Sequence, residues 1–265
     1  MWVDHHCHLD FPIFDRDRDA VVARARAAGV HHCTLAATTR RRWERVIAVA
    51  RRYGFSYQLG LHPCFMAQHR VTGVDNDLDA LAAMLAVSSD DALFAGLGEC
   101  GVDKRYSTTL PAQWALFDAQ LALARTYRLP VVIHCVRLYD EVAKRLRSCP
   151  LPAGGIIHAF MGSLQQAQRF IALGFRIGIG GALTWPQNKK LREIVSIIPQ
   201  ESIALESDAP DMPLFWSQGE RPDGLVSVNG RDRNEPQWVA PLGALVNHLR
   251  RTDSRGGLPT CGPDQ

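Results

Sequence analysis

Five of the ten histidines in this chain, together with two carboxylates, stand at or just past the ends of short apolar runs. His6 and His8 flank Cys7 at the end of the run that begins at Trp2. Side chains alternate along a strand, so both imidazoles fall on one face. His62, Glu99, His134, His158 and Asp208 follow later runs in the same way. A single histidine in such a place is usually a hydrogen-bonded core residue. When all these groups converge, the balance changes, because burying each of them unpaired carries a large free-energy cost. A bound metal offsets that cost directly.

The donor types narrow the metal. Four imidazoles (His6, His8, His134, His158) and two carboxylates (Glu99, Asp208) suit zinc, manganese, iron or nickel better than an all-oxygen magnesium or calcium cage. A single catalytic zinc takes about three protein ligands, so a pair of divalent ions bridged by Glu99 is expected. Such a pair polarises a phosphoryl oxygen and lowers the pKa of bound water to about 7, supplying a hydroxide nucleophile. Asp208 would bind one ion and take the proton from that water. Its alternative role, capping a helix before Ala209-Pro210, is compatible with the first.

The surrounding residues each carry two readings. His62 either contacts a phosphate or leaving group, as a catalytic residue beside Asp208 and Glu99, or is a hydrogen-bonded loop histidine before Pro63. Arg137 either clamps a phosphate or pairs with Asp140 or Glu141. Asn234 binds substrate or belongs to a helix start, with Pro236 near its first position. Glu206, two residues before Asp208, shares its face one layer deeper and is placed to orient a ligand histidine. Phe160 and Trp185 stack on a base or pack the barrel mouth. Asn188-Lys189-Lys190 sits where barrels hold phosphate, or forms a solvated first helical turn. His5, His31, His32, His69 and His248 read as structural or surface residues, and the cysteines at 7, 33, 64, 100 and 135 as small core residues.

Positioning these groups requires a regular frame, and the sequence has one. Strands are predicted over 2–8, 32–37, 55–61, 92–97, 131–134, 155–158, 175–179 and 203–206. Helical stretches, among them 18–28, 41–53, 78–87 and 111–127, lie between them. Gly29 stops the first helix, Pro130 follows the fourth, and 164–173 runs from a Ser163 cap to Gly174. Eight strand–helix units in about 250 residues fit an α/β fold of the (β/α)8 TIM-barrel type, whose active site lies at the carboxyl ends of the strands. A doubly wound open sheet is the rival but gives no reason for eight strands.

Composition agrees. The chain has 265 residues, 46% hydrophobic and 22% charged, enough for one sizeable core. No apolar run approaches the roughly 20 residues of a bilayer span. No secretory signal is visible, and seven cysteines without finger spacing favour a reducing, cytoplasmic setting. A net charge of +3 admits an acidic substrate but argues against a long duplex footprint.

The blocks Asp4-His5-His6-Cys7-His8-Leu9-Asp10, Gly60-Leu61-His62-Pro63, Gly98-Glu99-Cys100-Gly101-Val102-Asp103 and Glu206-Ser207-Asp208-Ala209-Pro210 resemble the signatures of the TatD family. So do Ile133-His134-Cys135 with Arg137, His158-Ala159-Phe160-Met161-Gly162 and Arg233-Asn234-Glu235-Pro236. The likeness runs in order from residue 2 to about 240. Gly178-Ile179-Gly180-Gly181, Thr184-Trp185-Pro186 and Asp211-Met212-Pro213 are most similar to its YjjV-type branch. The resemblance implies a metal-dependent deoxyribonuclease of amidohydrolase type, often assayed with magnesium, with ligands at His6, His8, Glu99, His134, His158 and Asp208. It departs at the end. Trp238, Leu242, Leu245, Val246 and Leu249 keep helical spacing, but 251–265 is polar and Gly- and Pro-rich, so a domain over 1–250 with a disordered tail is expected.

Together these readings predict hydrolysis of phosphodiesters, with short or single-stranded DNA ends trimmed from the 3′ side. No membrane or protein partner is indicated. The alternative substrate is an ester or amide, such as a D-aminoacyl-tRNA linkage, since no motif separates the two. A non-catalytic binding module would not need an open two-metal ligand set.

Overall fold

Eight parallel strands and eight helices alternate along the chain in a computed structural model that describes residues 1–216, 226–228 and 231–253. The strands are β1 Trp2–Cys7, β2 Val30–Ala36, β3 Ser56–Leu59, β4 Phe94–Asp103, β5 Val131–Val136, β6 Gly155–His158, β7 Phe175–Ile179 and β8 Ile203–Leu205. The helices are α1 Arg18–Ala27, α2 Trp43–Tyr53, α3 Asp77–Ser88, α4 Leu110–Tyr127, α5 Tyr139–Ser148, α6 Leu164–Ala172, α7 Lys189–Ile197 and α8 Val239–Asp253.

Strands pair in chain order from β1 to β8. The seam closes just past β8, where Asp208 N–H donates to the His6 carbonyl at 3.0 Å and His8 N–H to the Ala209 carbonyl at 2.8 Å. The predicted TIM barrel is therefore the fold. Local signals set the helix ends. Gly54, in the left-handed region at φ 70°, ends α2, and Ser163 with Gln166 forms a reciprocal cap at the start of α6.

The main core lies between strands and helices. It includes Leu97, Ile133, Ile157 and Ile177, with Val46 and Ala50 from α2 and Phe117 and Leu121 from α4. Fully burying each larger member contributes about 1.5–3 kcal/mol. Val132, Ile156 and Ala204 form a separate small cluster. Alternation puts His134 on the face of Val132 and His158 on the face of Ile156, so period two carries both imidazoles inward.

Most boundaries fall within two residues of expectation, and two differ by more. β4 does not stop at residue 97 but continues through Glu99 to Asp103. Its register against β5 shifts between Leu97 and Cys100. The continuation depends on Gly101, whose φ is 144° and where a Cβ would fall 1.9 Å from the His134 carbonyl oxygen. At the other end α8 runs to Asp253, past the expected limit at 250, and the tail residues 254–265 lie outside the described residues. Among the described residues no helix is long and apolar enough to cross a membrane.

Candidate metal centre

Glu99 is buried in the barrel with its two oxygens facing different partners. Oε1 lies 3.0 Å from His62 Nε2, 3.0 Å from His134 Nδ1 and 3.9 Å from His158 Nε2. Oε2 lies 3.1 Å from His6 Nε2 and 3.3 Å from His8 Nε2. Asp208 spans the same division. Its Oδ1 is 3.5 Å from both His6 and His8 Nε2, and its Oδ2 is 3.5 Å from His158 Nε2. All six residues assigned as ligands thus meet in one cluster.

The metal fit rests on the donors themselves. Both ring nitrogens of His6 are buried without a hydrogen-bond partner. The ligand atoms of His6, Glu99 and His158, and those of His6, His8 and Asp208, lie within 4.8 Å of one another. Unsatisfied buried nitrogens ringed by carboxylates are what a divalent cation would complete.

Outer contacts orient the rings. His8 Nδ1 donates to the Ala36 carbonyl at 2.8 Å, leaving Nε2 for the site. His158 Nδ1 lies 3.0 Å from Glu206 Oε1, the orienting contact expected of Glu206. Gly178 makes room for that carboxylate, since a Cβ there would sit 2.7 Å from both Glu206 oxygens. His62 Nδ1 accepts the Cys64 N–H at 3.1 Å, so its proton is on Nε2 and is donated to Glu99. That arrangement makes His62 a hydrogen-bond partner of Glu99.

Charge is tightly coupled here. Burial pushes the Glu99 carboxyl up, but the surrounding His62, His6, His158 and His134 outweigh it and hold it well below the usual range. Burial opposes a charge on His8, yet the hydrogen bond and charge of Glu99, with Asp208, raise it to about 9. Carboxylates likewise outweigh burial at His134 and His158, which are held well above their ordinary value. At Asp208, His158 and His6 overcome burial and keep the carboxyl low. Burial dominates at His62, whose value falls to about 4, so its ring is neutral.

Above the cluster opens a cavity of about 760 Å³ lined by His8, His62, His134, Arg137, His158 and Asp208. Arg105 and Tyr106, which no sequence pattern singled out, also line it, with Met161 and with Cys64, a half-buried wall residue rather than the core residue expected. Tyr106 and Met161 are each 48% exposed. Arg137 stands exposed on this rim, while Asp140 is engaged by Arg169 and Gln166.

Two expected substrate contacts take other roles. Phe160 is only 1% exposed and packs against Tyr139 and Phe170, with no face left for a base. Asn234, also 1% exposed, donates its amide to the carbonyls of Ser207 (2.5 Å) and Met212 (3.1 Å). It fixes the loop that carries Asp208. Its neighbours Arg233 and Glu235 pair with each other and with Asp17 and Arg24, so this block of the sequence is an architectural clasp. Trp185 rests against Phe215, and Lys189 and Lys190 are exposed at the start of α7. Asp103 was visible only as the end of a motif. Its placement depends on the continuation of β4, which broken alternation at Gly101 hides.

Comparison with known proteins agrees with this geometry. The family model described as TatD related DNase matches residues 3–254. The chain is 38% identical over 255 residues to the uncharacterized metal-dependent hydrolase YjjV of Escherichia coli K12, covering 94% of this chain and 90% of that one. It is 32% identical to the 3′-5′ ssDNA/RNA exonuclease TatD of Enterobacter lignolyticus, with 94% and 91% covered. The crystal structure of the Escherichia coli YjjV protein superposes with a TM-score of 0.83 over 94% of this chain and 90% of that one. Fold, ligand cluster and similarity along nearly the whole length agree: the chain belongs to the TatD family of metal-dependent hydrolases.

Proposed function

We propose that this hydrolase cleaves phosphodiester bonds at short or single-stranded DNA ends, trimming from the 3′ side, with two divalent ions that His6, His8, Glu99, His134, His158 and Asp208 would hold. The observation that carries the reading is the division of Glu99. One oxygen faces His6 and His8, and the other faces His134 and His158. With Asp208 touching both groups, the ligands sort into two sets sharing one bridge. The imidazole-rich set favours zinc or manganese over magnesium. When bound, such ions supply Lewis acidity and a water acidic enough to ionise near neutral pH.

The chain's own residues do the rest. Asp208, at the floor of the mouth, is placed to accept the proton of the attacking water. The pull that lowers its carboxyl comes first from His158 and then from His6. His62 holds Glu99 in place through its Nε2–H. Arg105 and Arg137 bring positive charge to the rim, where a phosphate would enter. The small net charge favours a strand end over a long duplex. The name carried by the Enterobacter relative points the same way. Six free cysteines among the described residues fit a reducing cytoplasm.

A panel of metals against single- and double-stranded DNA, RNA, a phosphomonoester and D-aminoacyl-tRNA tests the proposal. Single-stranded DNA shortened from its 3′ end, with zinc or manganese, is the expected result. Deacylation without any DNA cleavage would replace this reading with the acyl one.

A further inference from the structure

Asp103 ends β4 with a fully buried side chain, and it serves three side chains at once: His134, Arg105 and Cys64, whose Sγ lies 3.4 Å from Oδ2. Its Oδ2 accepts from His134 Nε2 at 3.0 Å. Its carboxylate also takes the Arg105 guanidinium, with Nε 3.0 Å from both oxygens and Nη2 2.5 Å from Oδ2. The Arg105 N–H donates to Oδ1 at 2.9 Å, and Gln113 of α4 accepts the Asp103 N–H at 2.7 Å. The carboxylate is therefore fixed by the Arg105 backbone and guanidinium, while Gln113 of α4 holds the Asp103 main chain.

An imidazole can present either nitrogen, and the partner of one decides the role of the other. His6, His8 and His158 all turn Nε2 toward Glu99 and Asp208. His134 is turned the other way, with Nδ1 3.0 Å from Glu99 Oε1. The contact that turns it is Asp103. The same carboxylate holds Arg105, whose side chain is 58% exposed on the cavity wall.

We infer that Asp103 is a positioning residue with two outputs. It fixes the Nε2–H tautomer of His134, leaving Nδ1 as the metal donor, and it aims Arg105 at the phosphate of the substrate. The inference rests on the two-ion reading above. The competing arrangement on this side of the site is an ion held by His62, Cys64 and His134, whose ligand atoms lie within 4.8 Å of one another. Asp103 already engages two members of that group, accepting from His134 Nε2 and from the Cys64 thiol.

Nitrogen-15 spectra of histidine-labelled, zinc-loaded wild-type protein read the tautomer directly. A protonated Nε2 and a metallated Nδ1 on His134 are expected, and a metallated Nε2 would overturn the inference. Zinc titration of Asp103→Asn by calorimetry should show one of two ions weakened by about 10–100-fold, with circular dichroism unchanged. Arg105→Met should keep both zinc affinities but raise KM on single-stranded DNA about tenfold, the loss of one charge-assisted contact. Wild-type zinc affinity in Asp103→Asn, or an unchanged KM in Arg105→Met, would refute the corresponding output. If wild-type protein bound no zinc, the two-ion reading itself would fail, a result distinct from either.

Discussion

Asp4 and Ser207 lock the two ends of the barrel together. Asp4 Oδ1 accepts the Ser207 N–H at 2.9 Å and Oδ2 accepts the Ser207 hydroxyl at 2.5 Å, both fully buried. Asp4 lies two residues before His6, and Ser207 directly precedes Asp208, so this seam sets the spacing between ligands from opposite ends of the chain. Asp4→Ala leaves buried donors unpaired and should cost about 1–3 kcal/mol of stability for each group stranded. Urea unfolding measures this. A variant as stable as the parent would show that the seam is held by backbone pairing alone.

Asp208→Asn keeps the shape of the loop but removes the proton acceptor and a ligand charge. Hydrolysis should fall by about 10²–10⁴-fold, with the fold intact by circular dichroism. Full activity in this variant would exclude Asp208 as the catalytic carboxylate.

His62 donates to Glu99 without offering its own lone pair to the site. His62→Ala should therefore retain both ions while kcat drops about 10–100-fold, the range for a hydrogen bond to a charged group. Metal analysis alongside kinetics separates the two effects. Loss of an ion would make His62 a ligand after all.

Stability of the metal-free protein should depend on pH in a defined direction. His8 is raised from 6.5 to about 9, so its contribution is complete below 6.5 and is lost as pH rises through 9. Asp4, pushed up to about 7 by burial against hydrogen bonds from Ser207 and His6, slopes the same way. Glu99 and Asp208, held low, contribute above their ordinary values of 4.5 and 3.8 and lose that contribution only in acid. The melting temperature in chelator should fall from about pH 6.5 to pH 9, and added zinc should reverse the fall because it competes with the ring protons. A metal-free melting temperature that rises across this interval would contradict the charge arrangement.

Phe160→Ala tests packing against recognition. It should lower stability by about 3–5 kcal/mol as an aromatic deletion in a core, while Phe160→Leu should leave KM for DNA unchanged. A selective rise in KM with unaltered stability would restore the stacking role.

The strand–helix alternation, the eight-stranded barrel and the six candidate ligands at its mouth were legible in the chain because they depend on local periodicity. His6 and His8 share a face whatever surrounds them, and period two links His134 to Val132 and His158 to Ile156. What needed the tertiary structure was everything fixed by contacts between distant segments. The division of Glu99 between two histidine groups depends on where four other strands place their side chains. Phe160 and Met161 are neighbours in sequence, yet packing against Tyr139 and Phe170 buries the first and leaves the second at the mouth. Asn234 is an architectural residue only because the carbonyls of Ser207 and Met212 come within its reach. Asp103 enters the site because Gly101 lets β4 pass close under the His134 carbonyl. Donor types and their order along the chain follow from the sequence alone; which nitrogen faces inward, and which carboxylate holds it there, is decided by the closed barrel.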